Sequence, residues 1–332
     1  MAQAKPTPSQ PEGNNQAVRE RTTIDRIVER LSTMELPAKE HVERYLRHKW
    51  RMNHKRRTLE SSFTSIVLFL QFYGASGKSD IARMERSDLE AFIEHEQDRG
   101  LYISTVRTRM ASLIAFLHFL MEQDILPPSL LKRTIKLKLP ETLPRAIHPK
   151  DVKKLLSVID KVRDRALILL LLRTGIRIGE ALSLTLNDID MRDKKVHLHQ
   201  GEKNSMGRVV YLSHDAYFGL KRWFSVRDKK KEVIFYGQGR QSMCYSSARS
   251  LFVKYINKAG LHNKGYTVHC LRHTFASELL NAGMRLEVLQ QLLGHQDIEV
   301  TRRYARLTDR TREEEYFRAM ALIEKGGIDG DY

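Results

Sequence analysis

The chain has 332 residues, 41% of them hydrophobic, which is enough to fill the cores of two domains and too many for wholesale disorder. Lysine and arginine number 57 against 40 acids; the resulting net charge of +17 favours a polyanionic partner without separating DNA from RNA or an anionic membrane surface. The only cysteines, Cys244 and Cys270, belong to no ligand-like cluster, which argues against a disulfide framework or a structural zinc site and fits a reducing compartment.

Residues 1–20 are polar and rich in Pro, Gln and Asn; they predict a disordered tail and lack the apolar stretch of a secretory signal. Residues 21–139 repeat apolar side chains at helical spacing: Val42, Tyr45, Leu46 and Trp50; then Leu59, Phe63, Ile66, Phe69 and Leu70; then Leu89, Phe92 and Ile93; then Val106, Met110, Leu113, Phe116 and Leu117. Ser87-Asp88 and Ser104-Thr105 read as N-caps, and the region predicts a module of four or five helices. Pro140, Pro144 and Pro149 mark residues 140–148 as a linker. Residues 149–332 then form a second domain, again mostly helical. Its period changes at 195–199 and 208–212, where Val196 and Leu198 alternate with His197 and His199. A hairpin with its loop at 201–207 follows from that, and 232–236 is a further short apolar run. The expected fold is mainly α with a small antiparallel sheet. The longest apolar run, 166–172, is far too short to cross a bilayer, so no membrane partner is expected and a cytoplasmic location fits.

Five short segments carry chemical interest. In TGIRIGEAL (174–182), Gly175 offers a positive-φ stop to the preceding helix, and Arg177 starts the next with Glu180 on the same face. By itself this pair reads as a surface salt bridge. Lys203, in the loop segment Gly201 to Arg208, reads by itself as a solvated lysine. His269 and His273 in HCLRHTFAS (269–277) have a zinc-compatible spacing, yet no third ligand and no adjacent Glu. Around Arg272 they suit an anion such as phosphate better. His295 follows a helix end at Gly294, where a histidine often only complements the dipole, and Tyr304 lies among arginines where packing is the ordinary fate of a tyrosine.

Order and spacing give these segments a joint meaning. TGIRIGEAL, HCLRHTFAS and LLGHQDIEVTRRYA (292–305), with Tyr304 nine residues after His295 and a lysine in the intervening hairpin loop, closely resemble the signature of the tyrosine recombinase/integrase family. The resemblance covers roughly 149–308 in detail, and the preceding helices are similar to that family's SAM-like core-binding domain. It implies a two-domain DNA clamp, a helical core-binding domain plus a mixed α/β catalytic domain. It also implies site-specific cutting and rejoining of double-stranded DNA through a 3′-phosphotyrosyl intermediate, in a tetramer on two sites, with no cofactor or metal. Arg177 and Arg272 would clamp the phosphate, Lys203 would be the general acid, His269 and His295 would support, Tyr304 would be the nucleophile, and Glu180 would orient Arg177. Arg107 and Arg109 are candidate phosphate contacts in the N-terminal module, or else part of a solvated helix face. The loop reads GEKN where relatives often carry glycines around the lysine, and Tyr211 stands where proline is frequent.

Two rivals share some of these features. A type IB topoisomerase-like enzyme uses similar chemistry but rejoins the same strand, and a non-catalytic DNA-binding protein would lack the reactive side chains, all of which are present. Integration, excision, dimer resolution and transposition draw on one catalytic core, so the sequence names neither the DNA site nor the task. After Tyr304, an apolar set including Tyr316, Phe317, Met320, Leu322 and Ile323 is long enough to dock on its own domain or, as the resemblance implies, on a neighbouring protomer.

Overall fold

The computed structural model describes residues 24–133, 135–140, 144–199, 207–237, 239, 241–294, 301, 317 and 320. The chain divides into two compact units, Met1–Glu141 and Thr142–Tyr332. The expected tail, residues 1–20, lies outside the described residues.

The first unit is helical throughout: α1 (residues 24–32), α2 (Lys39–Arg51), α3 (Arg56–Ala75), α4 (Arg86–Asp98) and α5 (Ile103–Met121). Each turns its apolar stripe inward, and Tyr45, Phe63, Phe69, Phe92 and Phe116 are buried together with the aliphatic residues between them. Ring pairs such as Phe69–Phe92, edge to face at 5.3 Å, lock α3 against α4. Two of the helix starts differ from the sequence expectation. The α4 N-cap is Glu85, whose backbone N–H donates to Asp88 Oδ2 at 2.9 Å, so Ser87 and Asp88 lie inside the first turn. The α5 N-cap is Tyr102, which places Ser104 and Thr105 inside the helix as well. The α4 helix begins before the first apolar residue of its stripe, α5 begins on Ile103, which packs against the core, and a polar residue inside a first turn can have other uses. Asp88, for example, also accepts from Lys78 Nζ at 2.5 Å.

In the second unit, α6 (Pro149–Ser157) has proline at its first position, where a missing N–H costs nothing. The residues expected to end the linker lie against this unit: Ile147 belongs to its core, and its N–H donates to Thr274 Oγ1 at 2.8 Å. The centre is α7 (Val162–Thr174), whose residues 166–172 are all buried. A helix apolar on every side must be surrounded, and α7 packs against α9 (His214–Val226) and α11 (Val268–Asn281). Between α8 (Ile178–Ser183) and α9 runs a three-stranded antiparallel sheet of β1 (Ile189–Asp190), β2 (Lys195–Leu198) and β3 (Arg208–Tyr211). Val196 faces Val210, and Leu198 faces Arg208. β1 is too short to show alternation and was not foreseen; the 232–236 run gives only an isolated bridge, Thr185 to Val233. After α10 (Tyr245–Lys258) and α11 comes α12 (Leu286–Leu293). Among the described residues no helix is long and apolar enough to cross a membrane.

Candidate active site

Two helix C-termini, those of α7 and α12, are held by side chains from α8, β3 and α11. The α7 helix stops at Gly175, whose φ of 62° is open to glycine but strained for other residues. A Cβ built there would fall 2.2 Å from Phe275 Cδ1 on α11, so the glycine also permits the close approach of the helix carrying Arg272. Gly175→Ala is therefore expected to lower stability by roughly 2–4 kcal/mol and Tm by roughly 5–15 °C, from left-handed strain plus overpacking. A thermal melt superimposable on wild type would refute this. The α12 helix stops in the same way at Gly294, with φ 63°.

The carbonyls left over at these ends are taken by three arginines. Arg272 is 2% exposed; its Nη1 donates to Gly175 O at 2.6 Å and its Nη2 to Leu293 O at 2.7 Å. Both of these acceptors are neutral carbonyls, so neither cancels the guanidinium charge. Arg208 donates from Nε to Leu292 O at 2.9 Å. Arg177, the N-cap residue of α8, reaches Gly294 O with Nη2 at 3.5 Å, the longest of these contacts and the weakest. Its side chain is 28% exposed, which leaves it within reach of a ligand.

Glu180 joins two of the arginines. Its Oε1 accepts from Arg177 Nη1 at 3.1 Å, and its Oε2 accepts from the Arg177 backbone N–H at 2.8 Å, an interaction that ties the first turn of α8. Burial alone would push this carboxyl up. The hydrogen bonds and charge of Arg208, helped by Arg177, outweigh burial and hold it below the ordinary carboxylate value. His269, in the first turn of α11, is driven below the usual histidine range, mainly by burial and further by the charges of Arg272 and Arg177. Its imidazole is thus neutral at neutral pH, ready to donate or accept one hydrogen bond. It meets His273 edge to face at 4.6 Å. Two guanidiniums, Arg177 and Arg208, share the Glu180 carboxylate, with the Arg272 guanidinium and the His269 imidazole close to Arg177. This arrangement can bind a phosphate and stabilise added negative charge on its oxygens.

The structure thus brings together Arg177, Glu180, His269 and Arg272, all named from the sequence. Lys203, His295 and Tyr304 lie outside the described residues. Of the described residues next to them, β2 and β3 flank the segment that holds Lys203, the Gly294 carbonyl directly before His295 accepts from Arg177, and Thr301, three residues before Tyr304, is fully buried. Arg208 had no role in the sequence reading, because its partners are on α8 and α12 and no local periodicity points to them. In the first unit Arg107 is exposed on α5, whereas Arg109 is bound to Glu96, a fully buried carboxylate that Arg99 also holds at 2.8 Å. On the last segment Phe317 and Met320 are helical, Phe317 exposed and Met320 half-buried.

Residues 145–311 match the model of the Phage integrase family, and residues 42–124 match its N-terminal SAM-like domain. Tyrosine recombinase XerC of Roseiflexus castenholzii is 29% identical over 283 residues, covering 81% of this chain and 89% of that protein. Tyrosine recombinase XerA of Pyrococcus furiosus is 30% identical over 261 residues, covering 76% and 86%. Among solved structures, the Tn1549 transposon integrase in complex with a circular intermediate DNA shares the fold, with a TM-score of 0.68 at 23% identity over 81% of this chain and 95% of that one. The chain belongs to the phage integrase family, and is a tyrosine recombinase that cuts and rejoins DNA.

Proposed function

We propose that this recombinase attacks a phosphodiester with Tyr304 and stores the bond energy as a 3′-phosphotyrosine while Arg177 and Arg272 hold the phosphate. The observation that carries the reading is the convergence of Arg177, Arg272 and His269 beside the Glu180 carboxylate. The five-coordinate transition state gains negative charge on its non-bridging oxygens, and fixed guanidiniums and imidazole donors stabilise that charge at no cost of reorganisation. His295, following the α12 stop, adds to this set. Because the phosphoester is exchanged and not hydrolysed, the freed 5′ hydroxyl of a partner strand can reverse the step without ATP. Each of the two units would contact the duplex, four protomers joining two sites, with exposed Arg107 on the backbone. Arg109, already bound to Glu96, is the weaker of the two candidate contacts.

The test begins with a duplex site selected from random DNA by binding to the full chain. A nicked version of that site should trap a protein–DNA adduct that survives a denaturing gel; absence of any adduct under conditions of tight binding would count against the proposal. Lys203 is assigned to protonate the leaving 5′ oxygen, which is far more basic than a phenolate. A 5′-bridging sulfur leaves without a proton. Lys203→Ala should therefore cleave the ordinary site slowly and the sulfur-bridged site almost like wild type, whereas equal defects on both would move the general acid elsewhere.

A further inference from the structure

We infer that Arg208 is a positioning residue of the phosphate clamp, fixing Arg177 through Glu180 and the end of α12 through the Leu292 carbonyl. The inference rests on the reading of Arg177 as a phosphate ligand. Arg208 opens β3, and its side chain is 10% exposed. Its Nη1 and Nη2 donate to Glu180 Oε1 and Oε2 at 3.0 and 2.7 Å, while Nε donates to Leu292 O at 2.9 Å. All three nitrogens of the fork are thus engaged, on two separate elements, and the guanidinium cannot rotate without breaking one of these bonds.

The consequence falls on Arg177. Alone with Arg177, Glu180 would be free to pair with both ends of its guanidinium, cancelling its charge and drawing it away from a substrate. With Arg208 across both carboxylate oxygens, Glu180 takes Arg177 Nη1 at 3.1 Å by one oxygen and leaves Nη2 on the more weakly held Gly294 carbonyl. One carboxylate shared between two guanidiniums orients Arg177 without neutralising it. The same side chain ties the strand that follows the Lys203 loop to the carbonyl three residues before His295. One arginine thereby links Arg177, through Glu180, to the strand and the helix end that lie next in the chain to Lys203 and His295.

The experiment uses the full chain with the selected duplex and its nicked form. Affinity is read by gel shift, single-turnover cleavage at saturating protein, and folding by thermal melt, for Arg208→Met, Arg208→Lys, Glu180→Gln, the Arg208→Met/Glu180→Gln double variant and Arg177→Ala. Misplacement of a clamping group by about an ångström should slow cleavage roughly 10²-fold in Arg208→Met and in Glu180→Gln, with duplex affinity near wild type. The double variant should be no slower than the worse single one, because both break one relay. Lysine keeps the charge but not the fork, so Arg208→Lys should still cleave about tenfold slowly at unchanged affinity, and it carries the test if the methionine variant fails to fold. Wild-type cleavage by Arg208→Lys, parallel loss of affinity and rate, or additive defects in the double variant would each overturn the inference. Arg177→Ala at full speed would instead overturn the clamp reading itself; Arg177→Ala inactive beside full-speed Arg208 variants would remove only the role of Arg208.

Discussion

Tyr304→Phe is expected to abolish covalent attachment to DNA while leaving binding to the selected duplex within a fewfold of wild type. The substitution removes one oxygen and keeps the ring, so whatever packing the side chain makes is preserved and only the nucleophile is lost. A phenolic hydroxyl with a pKa of about 10 is a weak nucleophile at neutral pH, and an excess of guanidinium charge of the kind that gathers at Arg177, Arg208 and Arg272 favours its ionised form. Arginine and histidine side chains cannot restore that function, because neither supplies an oxygen that forms a phosphodiester. The nicked duplex, run on a denaturing gel after hours of incubation, reads the effect directly. A persistent adduct with the phenylalanine variant would remove Tyr304 from the mechanism and point to another nucleophile.

Much of this site was legible in the sequence because its parts are helix ends, and helix ends leave local marks. The glycine stops at Gly175 and Gly294 were read from position alone, and both adopt the left-handed conformation the reading required. The Arg177–Glu180 spacing placed both groups on one turn, where they pair. The apolar run 166–172 reads as part of a helix ending before Gly175 and as too short for a membrane; its burial on all sides, at the centre of its unit, comes from the packing of α9 and α11 around it. What stayed hidden depends on distance along the chain. Arg208 meets Glu180 from 28 residues away and Leu292 from 84, a relation that follows from strand placement and not from any repeat. Arg109 looked like a free basic residue until its buried partner Glu96, on the preceding helix, came into view. The misplaced caps of α4 and α5 show the same limit: Ser, Thr and Asp serve inside a first turn as readily as before it.

Arg272→Ala should slow cleavage by about 10²–10³-fold or more, the usual loss when one preorganised donor to a transition-state oxyanion is removed. The structure gives two reasons to expect the upper part of that range. The first is electrostatic: at 2% exposure the guanidinium is shielded from water, which strengthens its field on a bound phosphate. The second is geometric, because the carbonyls it donates to belong to Gly175 and Leu293, the ends of the helices that precede Arg177 and His295. Removing Arg272 therefore loosens two other members of the clamp along with itself. Arg272→Lys should recover little, since one ammonium cannot span both carbonyls and still face a phosphate. Part of the defect will be stability, as two buried carbonyls lose their donors at roughly 1–3 kcal/mol each, so the rate must be taken well below the melting temperature of the variant, at saturating protein. Arg177→Ala provides the comparison: its side chain is more exposed and its contact with Gly294 is the weakest of the set, so it should lose rate with a smaller fall in Tm. Near-normal cleavage by both alanine variants, each shown to be folded, would leave no phosphate clamp to explain.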